Sequence, residues 1–156
     1  MNGMSKIVKV TACILIIPGI VFGLYIIMHG HLTPGGGFQG GAVIATISAL
    51  FIIAYADEIR GVLDKDILSL MESMALIAFI SLAFLGLSTT FFHNFLVNGG
   101  GLFGNPVSGI NPGDLNTGGV IPLMNLAVGL EVYSALSLIV VVMYFGSKQE
   151  VLEDVN

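Results

Sequence analysis

Long uninterrupted apolar blocks dominate the pattern of hydrophobic and polar positions along this 156-residue chain. The blocks show neither the 3.6-residue stripe of an amphipathic helix nor the alternation of a strand. Each block reaches the roughly 17–25 residues that a membrane-spanning helix needs. The four blocks are Val10–Met28, Phe38–Ala56, Ser73–Phe92 and Val120–Gly146. They predict an all-α membrane protein, a single integral membrane domain of residues 1–156 with transmembrane helices at about 8–29, 38–56, 67–92 and 120–146.

Composition excludes several classes of protein. Hydrophobic residues make up 55% of the chain and charged residues 10%, whereas a soluble domain carries roughly 25% charged residues. The net charge of −5 comes without a basic patch, so nothing favours nucleic-acid binding. Cys13 is the single cysteine, which excludes a disulfide or a Cys-based metal site within the chain. The first apolar block is longer than a signal-peptide core and no cleavage site follows it, so we expect a retained helix.

The basic residues predict the orientation in the membrane. With four spans, all five lie on the same side: Lys6, Lys9, Arg60, Lys65 and Lys148. Because cytoplasmic loops are enriched in Lys and Arg, we expect both termini in the cytoplasm and both glycine-rich loops outside. The longer of these, 93–119, contains dense turn signals and is expected to form an outer cap packed on neighbouring subunits. Asp64 or Asp66 is expected to cap helix 3.

The candidate chemistry centres on Glu131, the only charged residue in the run Val120–Gly146. An unpaired carboxylate at bilayer depth costs about 2.5–3.5 kcal/mol or more. Small residues share its helix face at i−4, i+3 and i+4, namely Ala127, Ser134 and Ala135. The apolar parts of helices 2, 3 and 4 contain no Lys, Arg or His, so the compensating group must be a partner's base, a cation, water or a proton.

Three further polar residues are candidates for the same ion path. Glu72 lies one to two turns into helix 3, where it is either the inner mouth of the path or an acid favoured by the helix dipole. His31 and Asp114 are candidate outer-side groups, and His31 is equally well explained as an interfacial hydrogen-bonding residue. His29 and His31 are too few for a structural zinc site, which uses four ligands. We therefore expect no metal and no cofactor beyond a transported Na⁺ or H⁺.

Small residues also mark the helix-packing faces. Helix 2 repeats a small residue every four positions, and such faces let membrane helices approach closely. The repeat consists of Gly37, Gly41, Ala45 and Ala49. Helix 1 carries Gly19 and Gly23 at the same spacing. These faces are predicted to pack on each other or on a partner.

A glycine-rich motif, GHLTPGGGFQGG, joins helices 1 and 2 over residues 30–41. A phosphate cradle is a weak interpretation, because the Lys-Ser/Thr of a P-loop is absent. The motif resembles the signature of the MnhB (MrpB) family, whose members are membrane subunits of Mrp-type multisubunit Na⁺/H⁺ antiporters. The resemblance covers nearly the whole chain. The matching positions are Gly30, His31, Pro34, Gly35, Gly36, Gly37, Phe38, Gly40 and Gly41.

This resemblance implies a non-catalytic, multi-pass subunit of the plasma membrane that helps to form the ion path of a cation/proton translocating complex. Its expected partners are other antiporter-type membrane subunits and the lipid bilayer. The resemblance also implies an acid in the last helix, where Glu131 fits. Related subunits occur in archaeal membrane-bound hydrogenases and sulfur-reducing complexes. Glu131 stands where the antiporter version has Phe-Asp, which favours this second branch and hydrogenase or sulfur-reductase partners.

Two other functions compete with an ion-path subunit. The small-residue faces would permit a self-sufficient transporter built as a homo-oligomer. Alternatively, the chain is a scaffold in which Glu131 forms a salt bridge with a lysine of a partner subunit. An enzyme is the least expected class, because the sequence offers no nucleophile–base pair, thiol cluster or metal set.

Overall fold

Four α-helices form the protein in the computed structural model, which describes residues 4–55, 64–97, 99, 103 and 118–153. The helices are α1 (Lys6–His29), α2 (Gly37–Tyr55), α3 (Lys65–Leu85) and α4 (Ile121–Glu153). The described residues include no strand. All four helices are long and apolar enough to cross a membrane. The prediction of an all-α membrane protein with four spans is therefore confirmed.

Two of the helices begin at side-chain caps. The Ser5 hydroxyl accepts a hydrogen bond from the Val8 N–H at 3.4 Å at the start of α1. The Asp64 carboxylate accepts one from the Asp66 N–H at 3.1 Å at the start of α3. Each cap satisfies one of the backbone donors that a first helical turn leaves unpaired. Of the two predicted caps of helix 3, Asp64 is the one that the structure uses.

The third helix is shorter, and the fourth longer, than the hydropathy pattern predicted. α3 stops at Leu85, about one and a half to two turns before the predicted end at 92. Gly86 caps it, and the chain turns back so closely that a Cβ on Gly86 would lie 2.7 Å from the His93 backbone. Phe92 has a φ of 63°, which no right-handed helix contains. α4 continues beyond 146 to Glu153, because residues 147–153 contain no glycine or proline to end it.

α4 is the central helix of the bundle. α2 packs along one side of it and α3 along another, while α1 packs mainly on α2 and touches α4. In the described residues, the backbones of α2 and α3 do not approach each other. A side-chain cluster built around Ile52 of α2, Leu68 of α3 and Val141 of α4 brings the two helices together. The bundle is therefore a row, α2–α4–α3, with α1 against one end.

Large apolar side chains cover the outside of this row, and small ones fill much of its interior. Examples on the outside are Ile7 (78% exposed) and Ile17 (70% exposed). The buried residues include Ala12, Ala45, Ala75 and Ala83. This reversal of the soluble pattern is expected in lipid, where large side chains gain nothing by leaving the hydrocarbon and small ones let backbones approach.

A single asparagine ties the chain after α3 to the start of α4. The Asn94 side-chain amide donates to the Gly118 carbonyl at 2.8 Å. Its side-chain oxygen accepts from the Val120 N–H at 2.9 Å. Gly119 between them has a φ of 63°, a conformation that residues with a Cβ rarely adopt. A Cβ at this position would also collide with the Asn94 side chain. Most of the segment 93–119 lies outside the described residues, so its role as an outer cap stays a prediction.

Candidate functional site

Glu131 lies about 15 Å along α4, ten residues after its first residue, Ile121. The residue is half-buried. Ser134 beside it is fully buried, and the Ser134 hydroxyl already donates to the Leu130 carbonyl at 2.7 Å. The Glu131 carboxylate has no hydrogen bond or ion pair with any side chain that the structure describes. The acid is thus held at membrane depth without a neutralising group from the described part of its own chain.

Helix geometry directs Glu131 into the gap between α2 and α3. Successive residues of an α-helix are about 100° apart. Val132, one residue later, faces α2, where it packs against Gly41. Leu130, one residue earlier, lies on the α3 side. Gly129 contacts both Ile27 of α1 and Gly37 of α2, so α1 lies on the far side of α4 from the carboxylate.

An apolar cluster closes one end of this gap. Leu138 and Phe145 follow Glu131 at i+7 and i+14 and therefore share its stripe on α4. Both pack against the core residues Ile52, Leu68 and Val141. The cluster lies between the Glu131 level and the bundle end that holds Lys65, which is the end predicted to be cytoplasmic.

Glu72 is not brought into contact with Glu131. It is half-buried on the face of α3 that carries Leu68, four residues earlier. Because Leu68 packs beside Val141 in an antiparallel pair, Glu72 is level with residue 137. That level is about 9 Å along the helix axis from Glu131. Like Glu131, Glu72 has no hydrogen bond or ion pair among the described side chains.

The glycines of the motif let α2 and the α1–α2 loop lie against α4. A Cβ on Gly41 would lie 2.6 Å from the Gly129 carbonyl oxygen, and one on Gly37 would collide with the Asn125 carbonyl oxygen. A Cβ on Gly30 would lie 2.7 Å from the Asn125 side-chain nitrogen. Gly40 faces α1 instead, where a Cβ on Gly40 would lie 2.6 Å from the Gly23 carbonyl oxygen. The repeat containing Gly37 and Gly41 therefore faces α4, not α1.

Asn125 lies beside the glycine motif and was not singled out by the sequence analysis. Its side-chain nitrogen is buried and makes no hydrogen bond with the described residues. Ser137 is similar, because it is fully buried and its hydroxyl has no described partner. Neither belongs to a motif, and the only signal in the sequence is that each is an uncharged polar residue within the run Val120–Gly146.

His31 lies in the loop between α1 and α2, outside the membrane-spanning segments. Its ring packs against Gly118, where an added Cβ would lie 3.0 Å from it. Burial lowers the pKa of His31, and the nearby His29 lowers it further. The ring therefore favours the neutral form more than a free histidine does. Asp114, the other predicted outer-side residue, lies outside the described residues.

The remaining packing candidates are distributed over two interfaces. Ala45 is buried and Ala49 half-buried on α2, while Ala127 is buried beside a cavity that α4 forms with α3. Ala135 is half-buried on the stripe of Glu131. Among the described residues, no three His, Cys, Asp or Glu side chains are grouped closely enough to hold a metal ion.

The sequence matches the model of a protein family described as a domain related to the MnhB subunit of Na⁺/H⁺ antiporter, over residues 7–138. The chain belongs to the MnhB family. The matched range includes the glycine motif, Glu72 and Glu131, and most of the four-helix bundle. The resemblance seen in the motif is thereby confirmed, and the chain is a multi-pass membrane protein of the antiporter-subunit type.

Two relatives are similar to this MnhB-family chain over most of its length. An uncharacterized protein of Methanocaldococcus jannaschii is 33% identical over 136 residues, which cover 85% of this chain and 50% of that protein. A chain of the membrane-bound sulfane sulfur reductase, an archaeal respiratory membrane complex, matches with a TM-score of 0.72 and 31% identity. That match covers 89% of this chain and 57% of the other. The MnhB-family chain thus spans about half the length of the relatives it matches.

Proposed function

We propose that this chain is a non-catalytic subunit of a multisubunit membrane complex that translocates cations, and that Glu131 lines the ion path. The supporting observation is a half-buried carboxylate about 15 Å into α4 that has no basic partner among the described side chains. Intramembrane acids without such a partner are typical of ion and proton pathways. Membership of the MnhB family supports a subunit of an antiporter-like complex.

The transported species in this proposal is Na⁺ or H⁺, since a carboxylate binds either. The gap between α2 and α3 supplies only part of a path, because the described chain puts no helix over it. A neighbouring subunit therefore forms the other wall. The apolar cluster around Leu68 and Val141 separates Glu131 from the Lys65 end of the bundle. Exchange at Glu131 then proceeds through the partner's side or from the opposite end.

The test uses the complete complex in sealed vesicles, with a pH-sensitive dye reporting proton movement when Na⁺ is added. Glu131→Gln keeps the size of the side chain but removes its charge, and we expect it to abolish coupled transport in an assembled complex. Glu131→Asp keeps a carboxylate and should retain part of the activity. Glu72→Gln is the matched acid replacement on α3, and it measures whether the path extends to that helix.

Two results would contradict this role of Glu131. Full transport by Glu131→Gln would exclude the carboxylate from the path. Loss of the complex on native gels in Glu131→Gln, before any transport defect, would instead favour a structural salt bridge to a partner's lysine.

A second candidate is a subunit of the antiporter-like part of a respiratory complex. The match to a chain of the sulfane sulfur reductase favours it, at 31% identity over 89% of this chain. Affinity purification from native membranes decides between the two assemblies. Redox subunits that co-purify would support the respiratory complex, and antiporter-type subunits alone would support a stand-alone antiporter. Cation flux by the purified chain alone in liposomes would contradict both and favour a homo-oligomeric transporter.

A further inference from the structure

One buried hydroxyl on α4 lacks the hydrogen bond that comparable hydroxyls make. Ser137 is fully buried, and the Ser137 hydroxyl has no hydrogen-bond partner among the described residues. Ser134, one turn earlier and equally buried, donates to the Leu130 carbonyl at 2.7 Å. The hydroxyls of Thr46 and Ser81 likewise donate to the carbonyl four residues earlier. Because leaving a buried hydroxyl unpaired is costly, Ser137 indicates a binding partner that comes from outside the helix.

Ser137 lies on the face of α4 that packs against α3, at the level of an acid. Val141 follows Ser137 by four residues on the same face of α4, and Val141 packs with Leu68 of α3. Glu72 follows Leu68 by four residues on the same face of α3. Because the two helices are antiparallel, Ser137 and Glu72 are neighbours across the interface, one turn away from the contact between Leu68 and Val141.

Glu72 is an acid without a neutralising group in the same interface. The residue is half-buried about 10 Å into α3, and the Glu72 carboxylate makes no hydrogen bond or ion pair with a described side chain. Its neighbours on this stripe of α3 are Leu68, one turn before it, and Ala75, one turn after it, and both are apolar and buried. The oxygen of Ser137 is therefore the polar atom that α4 presents to Glu72 at this level.

A carboxylate beside a hydroxyl suits a monovalent cation. Both groups are hard oxygen ligands, the kind that alkali and alkaline-earth ions bind. The single charge of Glu72 neutralises Na⁺, whereas a divalent cation would leave a net charge buried among apolar side chains. A proton would need the carboxylate alone, but Na⁺ gains from the second oxygen. One carboxylate gives weak binding, which suits an ion that must leave the site again.

We propose that Glu72 and Ser137 form a second cation site, which holds Na⁺ between the Glu72 carboxylate and the Ser137 hydroxyl oxygen. This inference rests on the proposed function, because it adds a binding site to the ion path that contains Glu131. The two sites are about 9 Å apart along the helix axis. Without Na⁺ the Ser137 hydroxyl is unpaired, and with Na⁺ bound it becomes a ligand of the ion.

The test measures how fast a carbodiimide modifies Glu72 in membranes that contain the complete complex. N,N′-Dicyclohexylcarbodiimide reacts with protonated carboxyl groups in apolar surroundings, so a bound Na⁺ slows the reaction. Peptide mass spectrometry reports Glu72 and Glu131 separately, with choline chloride to keep the ionic strength constant. Ser137→Ala removes the proposed ligand. Ser134→Ala is the matched control, since Ser134 is equally buried but its hydroxyl already donates to a backbone carbonyl.

Na⁺ at about ten times its Kd should slow the modification of Glu72 about ten-fold in wild type and in Ser134→Ala. Ser137→Ala should need about ten-fold more Na⁺ for the same protection, a change of about 1.4 kcal/mol in binding. No protection of Glu72 in wild type, or equal protection in Ser137→Ala, would overturn the site. Protection by Ca²⁺ at a lower concentration than Na⁺ would overturn its assignment to a monovalent cation.

The second cation site and the role of Glu131 can fail separately. If Glu131→Gln abolishes transport while Na⁺ leaves the modification of Glu72 unchanged, the ion path stands and the second site is wrong. If Glu131→Gln transports normally, the proposed function itself is wrong, and the second site is overturned with it.

Discussion

The two interfaces that α4 makes with its main neighbours are built on opposite principles. Toward α2, Gly41 and Gly129 bring backbone against backbone, with no space for a single methyl group. Toward α3, apolar side chains line an open cavity of about 670 Å³. The α2 side of the central helix therefore requires glycine, whereas the α3 side has room for a larger side chain. Glu131 lies between these two sides.

The strongest test of this difference inserts the same side chain on each side. Gly41→Leu forces a side chain onto the Gly129 carbonyl, a backbone atom that cannot move aside, and should cost about 3 kcal/mol or more. Ala127→Leu extends into the cavity and should change stability by less than about 1 kcal/mol. Melting temperature and yield of a fluorescent fusion, followed by size-exclusion chromatography, provide the measurement.

Gly146→Leu is the control for the Gly41 variant, because a Cβ there meets nothing within 4 Å. It should be neutral or slightly stabilising, since leucine has the higher helix propensity. If Gly41→Leu melted like Gly146→Leu, the close approach of α2 to α4 would be wrong.

A smaller effect is expected from the two buried serines of α4. Ser137 is fully buried with no described hydrogen-bond partner, so Ser137→Ala should gain about 1 kcal/mol by removing an unsatisfied hydroxyl. Ser134→Ala removes a hydroxyl that donates to the Leu130 carbonyl and should lose about 0.5–1 kcal/mol. Thermal melts of both variants in the same detergent give the comparison. A loss in Ser137→Ala would mean that the hydroxyl is bonded to a neighbouring chain or to water.

The smallest effect concerns how stability depends on pH through His31, in the glycine-rich loop between α1 and α2. Burial and the neighbouring His29 lower the pKa of His31 in the folded protein. Above the unfolded pKa of about 6.5 both states are neutral at this residue, so it makes no pH-dependent contribution. As the pH falls below about 6.5, the unfolded state takes up the proton first, and stability declines until the pH passes the folded pKa.

His31→Gln should remove this part of the acid sensitivity. The informative quantity is the difference in melting temperature between wild type and variant, measured from about pH 8 to about pH 5, because groups that do not interact with His31 contribute equally in both proteins. A difference that does not change with pH would contradict the assigned direction of the His31 pKa.

The sequence predicted the spans, because an unbroken apolar run of membrane length is rare in any element other than a membrane-spanning helix. It could not identify which helices pack together. The spacing of Gly37 and Gly41 indicated a close contact, but a period of four residues does not name the partner, which proved to be α4. It also placed the end of helix 3 too late, because residues 86–92 continue the hydropathy while the backbone turns back at Gly86.

The candidate site was only partly accessible to sequence reasoning. Glu131 was identified because a lone charge contrasts with its surroundings. The direction of its side chain was not, since that depends on α2 and α3 meeting different faces of α4. Asn125 and the α3–α4 cavity gave no distinctive signal, because an amide and a set of leucines and alanines look ordinary until tertiary packing brings them together.

The Asn94 amide joins the chain leaving α3 to the chain entering α4 with two hydrogen bonds, to Gly118 and Val120. The chain between Asn94 and Gly118 therefore has both of its ends fixed by the same side chain. Loop-closure entropy grows only slowly with loop length. Adding or removing residues between Asn94 and Gly118 should therefore change the free energy of folding little, as long as the two hydrogen bonds of Asn94 hold the end of α3 beside the start of α4.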